Sequence, residues 1–203
     1  MKPKPYAESC DQNREPIKQV LAQFVDEKQT ILEIGSGTGQ HAVYLAQSFP
    51  WLSWQTSELL ENHAGIQAWI DDSGLANIKS PLELNANLHW PKQCYDVLFT
   101  ANTIHIMSER SVMAVFENSP NCMHEHSSLL MYGPFNYQSE YTSDSNARFD
   151  VWLKQRDSLS GIKNFEWLCD LGEKSGLYCT HDFEMPANNR ILVWHKYSAK
   201  NRT

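Results

Sequence analysis

The segment Ile31-Leu32-Glu33-Ile34-Gly35-Ser36-Gly37-Thr38-Gly39-Gln40-His41 constrains this chain more than any other. An apolar run ends in three glycines at alternate positions, after which Ala42, Val43, Leu45, Ala46 and Phe49 suggest a helix with one buried face. A strand, a glycine turn and a helix form the repeating unit of parallel α/β sheets. Such a turn also lets a ligand reach the backbone where a Cβ would block it.

The rest of the chain keeps this rhythm. Residues 30–34, 51–57, 81–84, 95–101 and 128–132 read as strands, with Pro81 restricted to a strand start or an edge. Helices are expected from the spacing of Ile17, Val20, Leu21, Phe24 and Val25, with Pro16 in the first turn, and over 60–72, ended by Gly74. Further helices are expected over 111–117, 147–157 and 164–175, the last closed by Gly176. Residues 178–184 and 191–196 flank Met185-Pro186-Ala187-Asn188-Asn189, which reads as a hairpin turn. The pattern predicts an α/β fold with a mainly parallel sheet, in one domain over 1–203. Residues 1–28 form its helical cap. Residues 134–176 supply a substrate side, because the polar stretch 136–146 with Tyr137 and Tyr141 is too long for a plain connection.

Charge narrows the partners. With 17 Lys+Arg against 24 Asp+Glu, the net charge of −7 disfavours nucleic acid and anionic membranes. No apolar run approaches the roughly 18–20 residues that span a bilayer, and Met1-Lys2-Pro3-Lys4-Pro5 is no secretory signal. The five cysteines contain no C-x-x-C pair, so free thiols in a reducing cytoplasm are expected. Cys122, His124 and His126 alternate as metal ligands can, but they follow the loop-like Asn118-Ser119-Pro120-Asn121. They are read as a polar surface turn, and no metal is expected. The sequence carries no sign of oligomeric state.

The glycine turn indicates its ligand. A dinucleotide fingerprint needs a small residue where Gln40 stands, and the Glu33 carboxylate would repel a pyrophosphate. The same carboxylate suits a cofactor with an ammonium and a sulfonium, which points to S-adenosylmethionine rather than a nicotinamide dinucleotide. Glu58, nineteen residues after Gly39 at the next strand end, is placed to accept both ribose hydroxyls. Asn85 is a candidate for the adenine amino group, with Leu84 or Ala86 as an apolar wall. Asn102 and His105, after the fourth strand, are candidates near the transferred methyl.

Residues 33–39, Glu58 and the strand-four end resemble the class I S-adenosylmethionine-dependent methyltransferases over nearly the whole chain. Cys10-Asp11-Gln12-Asn13-Arg14-Glu15-Pro16-Ile17, Ala101-Asn102-Thr103-Ile104-His105-Ile106, Tyr132-Gly133-Pro134-Phe135, Ser145-Asn146-Ala147-Arg148-Phe149-Asp150 and Glu184-Met185-Pro186-Ala187-Asn188-Asn189 narrow the resemblance to the methyltransferase-like 26 family. The resemblance implies a Rossmann-like fold: a seven-stranded, mostly parallel sheet with helices on both faces and a C-terminal antiparallel hairpin. It implies cofactor contacts from Glu33, Gly35, Ser36, Gly37, Gly39, Glu58, Leu59, Asn85, Ala86, Ala101 and Asn102, with His105 catalytic. Asn13, Arg14, Tyr132, Tyr137 and Arg148 would meet the acceptor. This chain has Asn85 where the family commonly has aspartate, Gln12 where it has arginine, and residues 123–127 in place of a Pro-Gly-Gly turn. The expected function is methyl transfer to a small-molecule acceptor. The alternative is a non-catalytic cofactor-binding partner subunit, and Gln40 and Glu33 disfavour a nicotinamide oxidoreductase.

Overall fold

The chain is described here by a computed structural model covering residues 4–27 and 29–196. In chain order the elements are α1 (Glu8–Leu21), β1 (Thr30–Ile34), α2 (Gln40–Ser48), β2 (Ser53–Glu58), α3 (His63–Ser73), β3 (Ile78–Glu83), β4 (Tyr95–Ala101), α4 (Glu109–Asn118), β5 (Met123–Gly133), β6 (Phe135–Asn136), α5 (Asp144–Arg156), β7 (Lys163–Asn164), α6 (Phe165–Lys174), β8 (Leu177–Met185) and β9 (Asn189–Lys196).

Seven strands form one sheet in the order β3-β2-β1-β4-β5-β9-β8. The first five are parallel, and β9 pairs antiparallel with both β5 and β8. The central strands are apolar on both faces because helices cover both. Ile31 joins a core with Ile17, Leu21, Leu45 and Ile66 from α1, α2 and α3. Its neighbour Leu32, on the opposite face, packs with Val112, Phe116 and Leu168 from α4 and α6. Successive crossovers carry the chain from β1 outward to β3, then back to β4 on the other side of β1. The strand ends of β1 and β4 therefore diverge and leave a crevice between their loops.

The sequence expectations hold for the mainly parallel sheet, the C-terminal hairpin and Pro81, which sits in the edge strand β3. The hairpin turns through Ala187 and Asn188, both at φ 58°. Two expectations need correction. First, α1 starts at Glu8, so Pro16 lies inside the helix, and Phe24 and Val25 follow its end. The polar N-terminal half is helical because it docks: the Ala7 N–H donates to Gln40 Oε1 at 2.6 Å, and Trp69 Nε1 donates to the Pro5 carbonyl. Second, residues 123–127 are not a surface turn but the irregular start of β5, where the register with β4 slips between Tyr95 and Val97. Cys122 and Met123 are buried in the core, with the Cys122 thiol 2.9 Å from the Pro91 carbonyl, while His124 and His126 stay exposed. Among the described residues no helix is long and apolar enough to cross a membrane.

The stretch between β5 and β7 is held by a buried acid. Asp150, with a side chain only 2% exposed, accepts from the Ile162 N–H at 2.6 Å, Tyr141 Oη at 2.7 Å and Lys154 Nζ at 2.6 Å. Burial works against its charge, but the bonds from Lys154, Tyr141 and Ile162 outweigh it and hold the carboxyl below its ordinary range. The segment it fixes grips three successive carbonyls of the β4–α4 loop. Gly161 N–H donates to the His105 carbonyl, Ser160 Oγ to that of Ile106, and Lys163 Nζ to that of Met107. Asp150→Ala is expected to cost about 2–4 kcal/mol in urea unfolding at pH 7, chiefly from the stranded Ile162 N–H. A loss under about 0.5 kcal/mol, the scatter of ordinary surface changes, would show that the knot adds nothing.

Candidate functional site

The crevice at the strand ends is a cleft of about 420 Å³. The β1 turn contributes Ile34, Gly35, Ser36, Gly37 and Thr38, and the end of β2 adds Glu58 and Leu59. Leu84, Asn85, Ala86 and Asn87 follow β3, and Ala101, Asn102, Thr103, Ile106 and Met107 follow β4. Ser111 of α4, His41 of α2, and Ala7, Ser9 and Cys10 at the start of α1 complete the wall. Among these described residues none is Lys or Arg, and Glu58 is the one carboxylate.

The turn is shaped by two glycines with different reasons to be glycine. Gly35, at φ 72°, lies so close to the β4–α4 loop that a Cβ would stand 2.6 Å from Thr103 Cγ2. Gly37, at φ 56°, has nothing within 4 Å of an added Cβ, so packing leaves it free and only its left-handed backbone is selective. Gly39, expected at the ligand, does not line the cleft. It opens α2 and lets that helix approach the Ile66 backbone, where a Cβ would come within 3.1 Å.

Glu33 also differs from the expectation. Its side chain is buried under the turn rather than at the cleft mouth, where Oε2 accepts from Ser36 Oγ at 2.8 Å and Trp54 Nε1 at 3.1 Å. Ser57 Oγ donates to the Glu33 carbonyl, and the Ser57 N–H donates to Ser36 Oγ, so β1, its turn and β2 are tied together. Burial pushes the Glu33 carboxyl up to about 7; the bonds from Ser36 and Trp54 work in the opposite direction.

Glu58 does face the cleft. Its Oε2 accepts from the Gly37 N–H at 3.0 Å and Oε1 from its neighbour Leu59 N–H at 2.8 Å, which fixes the carboxylate while leaving each oxygen a free lone pair. Asn85 Oδ1 accepts from the Asn87 N–H at 3.0 Å. Asn102 takes φ 57° as it leaves β4, a conformation asparagine tolerates, and its N–H bonds to the Tyr132 carbonyl at 2.9 Å. The structure thus brings together Gly35, Ser36, Gly37, Glu58, Leu59, Asn85, Ala86, Ala101 and Asn102 from the sequence reading.

It does not bring the expected catalytic and acceptor residues into that wall. His105 is 6% exposed, edge-on to Phe149 at 5.2 Å, and burial followed by the Lys163 charge lowers its pKa to about 4. Asn13 and Tyr132 are buried behind the wall. Arg14 pairs with Asp11 at 2.6 Å and covers the Tyr44 ring. Tyr137 donates to Asp182 Oδ2 at 2.8 Å and stacks on Phe165, and Arg148 is exposed. Sequence reasoning missed Ala7, Ser9, Cys10 and His41 as wall residues. His41 stood in the glycine motif itself, and the N-terminal residues were read as a cap without the contact of Ala7, Ser9 and Cys10 with the cleft.

The family described as "Protein of unknown function (DUF938)" matches residues 4–196. The chain belongs to that family. Solved structures share its fold at low identity. An O-methyltransferase family protein from Burkholderia thailandensis is 15% identical, with a TM-score of 0.79 over 91% of this chain and 56% of that one. The mitomycin 7-O-methyltransferase is 21% identical at a TM-score of 0.77, covering 90% and 53%. A methyltransferase of calicheamicin biosynthesis, in its SAH-bound form, is 16% identical at 0.72, covering 92% and 53%. The Rossmann-like methyltransferase fold is therefore shown, and the DUF938 chain spans little more than half the length of these structures.

The Glu33 network generates a pH dependence. Because folding raises this carboxyl from an ordinary 4.5 to about 7, the folded state holds the extra proton, and stability falls as pH rises between those values. Glu33→Gln keeps an oxygen for Ser36 and Trp54 and removes that fall. Its stability relative to the parent is expected to rise by on the order of 2–3 kcal/mol from pH 4.5 to 7.5, measured by urea unfolding. A difference that stays flat across this range would contradict the shift.

Proposed function

We propose that the cleft binds S-adenosylmethionine and that the chain transfers its methyl group to a small-molecule acceptor. The observation that carries this reading is the charge of the wall: one fixed carboxylate at the β2 end and no Lys or Arg among the described lining residues. A pyrophosphate would meet repulsion there, while an ammonium and a sulfonium would not. The donor set fits the group. Glu58, held by two backbone N–H bonds, has lone pairs for the two hydroxyls of a ribose. Asn85 and Ala86 at the β3 end would face the adenine, and Gly35, Ser36, Gly37, Leu59, Ala101 and Asn102 would enclose the remainder.

Such a cofactor, when bound, supplies an already activated methyl group. The chain's own work is then to align the acceptor and to exclude water, an effect worth up to roughly 7–11 kcal/mol. Ala7, Ser9 and Cys10 close one side of the cleft and serve that exclusion. Glu33 acts from beneath by holding the turn, and Gly39 by seating α2. We assign Asn13 and Tyr132 to the support of the wall, and Arg14, Tyr137, Arg148 and His105 to the outer layers around it. The similarity of solved methyltransferases named for mitomycin and calicheamicin supports a small-molecule acceptor, and the resemblance of the motifs to the methyltransferase-like 26 family supports the transferase reading alone. Five free cysteines agree with a cytoplasmic location. No observation favours the non-catalytic partner reading.

Glu58→Ala is expected to weaken S-adenosylmethionine binding at least tenfold, about 1.4 kcal/mol, by titration calorimetry. Unchanged affinity would remove Glu58 from the site. Gly37→Ala, whose Cβ meets no atom of the fold, is expected to lose comparable affinity while costing only about 1 kcal/mol of stability. Binding as tight as the parent's would show that no ligand approaches this backbone.

A further inference from the structure

We propose, resting on the cofactor reading above, that His41 orients the methyl acceptor. Its Nδ1 lone pair receives an O–H or N–H on the atom to be methylated, which makes the acceptor a hydroxyl or amino compound; as that atom takes the methyl and the sulfonium leaves as a thioether, the proton is released past Nδ1 to solvent.

Three observations carry the proposal. His41 is the second residue of α2, stands in the cleft wall, and is only 6% exposed. Its Nε2 lies 2.6 Å from Asn13 Oδ1, itself buried. The Asn13 amide turns its oxygen, which can only accept, toward that ring nitrogen. Nε2 therefore carries the ring hydrogen, and Nδ1 keeps the lone pair. Nδ1 has no hydrogen-bond partner among the described residues. Nδ1 has no partner within the fold and is not among its sealed polar atoms, so this acceptor is open to a hydrogen from water or from a ligand in the cleft.

Position selects which ligand. The base and sugar ends of the cofactor belong to the ends of β3 and β2, at Asn85 and Glu58. The bond from His41 to Asn13 ties this part of the wall to α1, whose start also lines the cleft. His41 thus belongs to the helical side of the wall rather than to the strand ends that carry Asn85 and Glu58. Burial, followed by the Arg14 charge, lowers the imidazole to about 4 against the opposing pull of Asp11, so the lone pair persists at neutral pH. A thiolate or carboxylate would bring no hydrogen to this lone pair and would face it with like polarity. His105 has a comparable burial but stands against Phe149, outside the wall.

The test uses the full chain, His41→Gln and His41→Ala, with His105→Ala as the comparison. S-adenosylhomocysteine affinity by calorimetry is expected within twofold of the parent for both His41 variants, which also shows that they fold. A tenfold loss with retained folding would make His41 a cofactor contact and overturn the proposal. Nitrogen NMR of the histidine-labelled parent is expected to show His41 as the Nε2–H tautomer at pH 7, and an Nδ1–H or imidazolium signal would overturn it. With isotopically labelled S-adenosylmethionine and a metabolite extract, the parent is expected to yield O-methyl or N-methyl products, reduced at least tenfold in both His41 variants. Parental product levels in those variants, or an S-methyl product, would overturn the proposal alone. A parent that binds S-adenosylhomocysteine yet labels nothing would instead overturn the transferase reading on which it rests.

Discussion

The buried Glu33 carboxylate is the interaction on which the site depends. It joins the glycine turn, through Ser36, to Trp54 of β2, and its own carbonyl receives Ser57. Those bonds set the distance between the two strand ends, and Glu58 then reaches the Gly37 N–H as the next carboxylate along. The two acids divide the work by environment. Glu33 is removed from water and stabilised by its hydrogen bonds, whereas Glu58 keeps a charged face toward the cleft. An acid so deeply buried is costly, and it persists because the turn above it has few side chains of its own with which to hold a shape.

Much of the fold was legible because period and punctuation agree in the central strands. The runs ending at Ile34 and Ala101 are apolar on both faces, as a covered parallel sheet requires, and Asn188 and Asn189 mark the hairpin. The expectations that failed depended on tertiary contacts. Pro16 looked like a helix start because nothing local shows that residues before it gain a second surface from α2 and α3. Residues 123–127 looked like a turn because they follow the loop-like 118–121 and carry His124, Glu125 and His126, which do stay exposed. Yet Met123 still pairs with Tyr95 and enters the core, and the extra residues are taken up where the β4–β5 register shifts.

The site divides along the same line. Residues that reach the cleft by strand-end position, such as Glu58, Asn85 and Asn102, could be found from spacing. His105 was singled out for its place after β4, but in the fold its ring is buried edge-on to Phe149 of α5, outside the wall. His41 sat unremarked inside the motif, because its role needs the buried Asn13 from a helix twenty-eight residues earlier. Asn13 and Asp150 show how the segments outside the sheet contribute. They fix the geometry of wall residues through buried hydrogen bonds instead of facing the cleft. This chain spans little more than half the length of the solved methyltransferases it resembles, and in it the start of α1 completes the cleft wall.

The central claim is that a cleft with one acid and no cation among its described wall residues accepts a sulfonium nucleoside and rejects a pyrophosphate. Parallel calorimetric titrations of the unmodified chain with S-adenosylmethionine and NADH test it most directly. The account predicts one saturable site for the sulfonium compound and no heat from the dinucleotide. Saturable NADH binding, or silence from both, would contradict it.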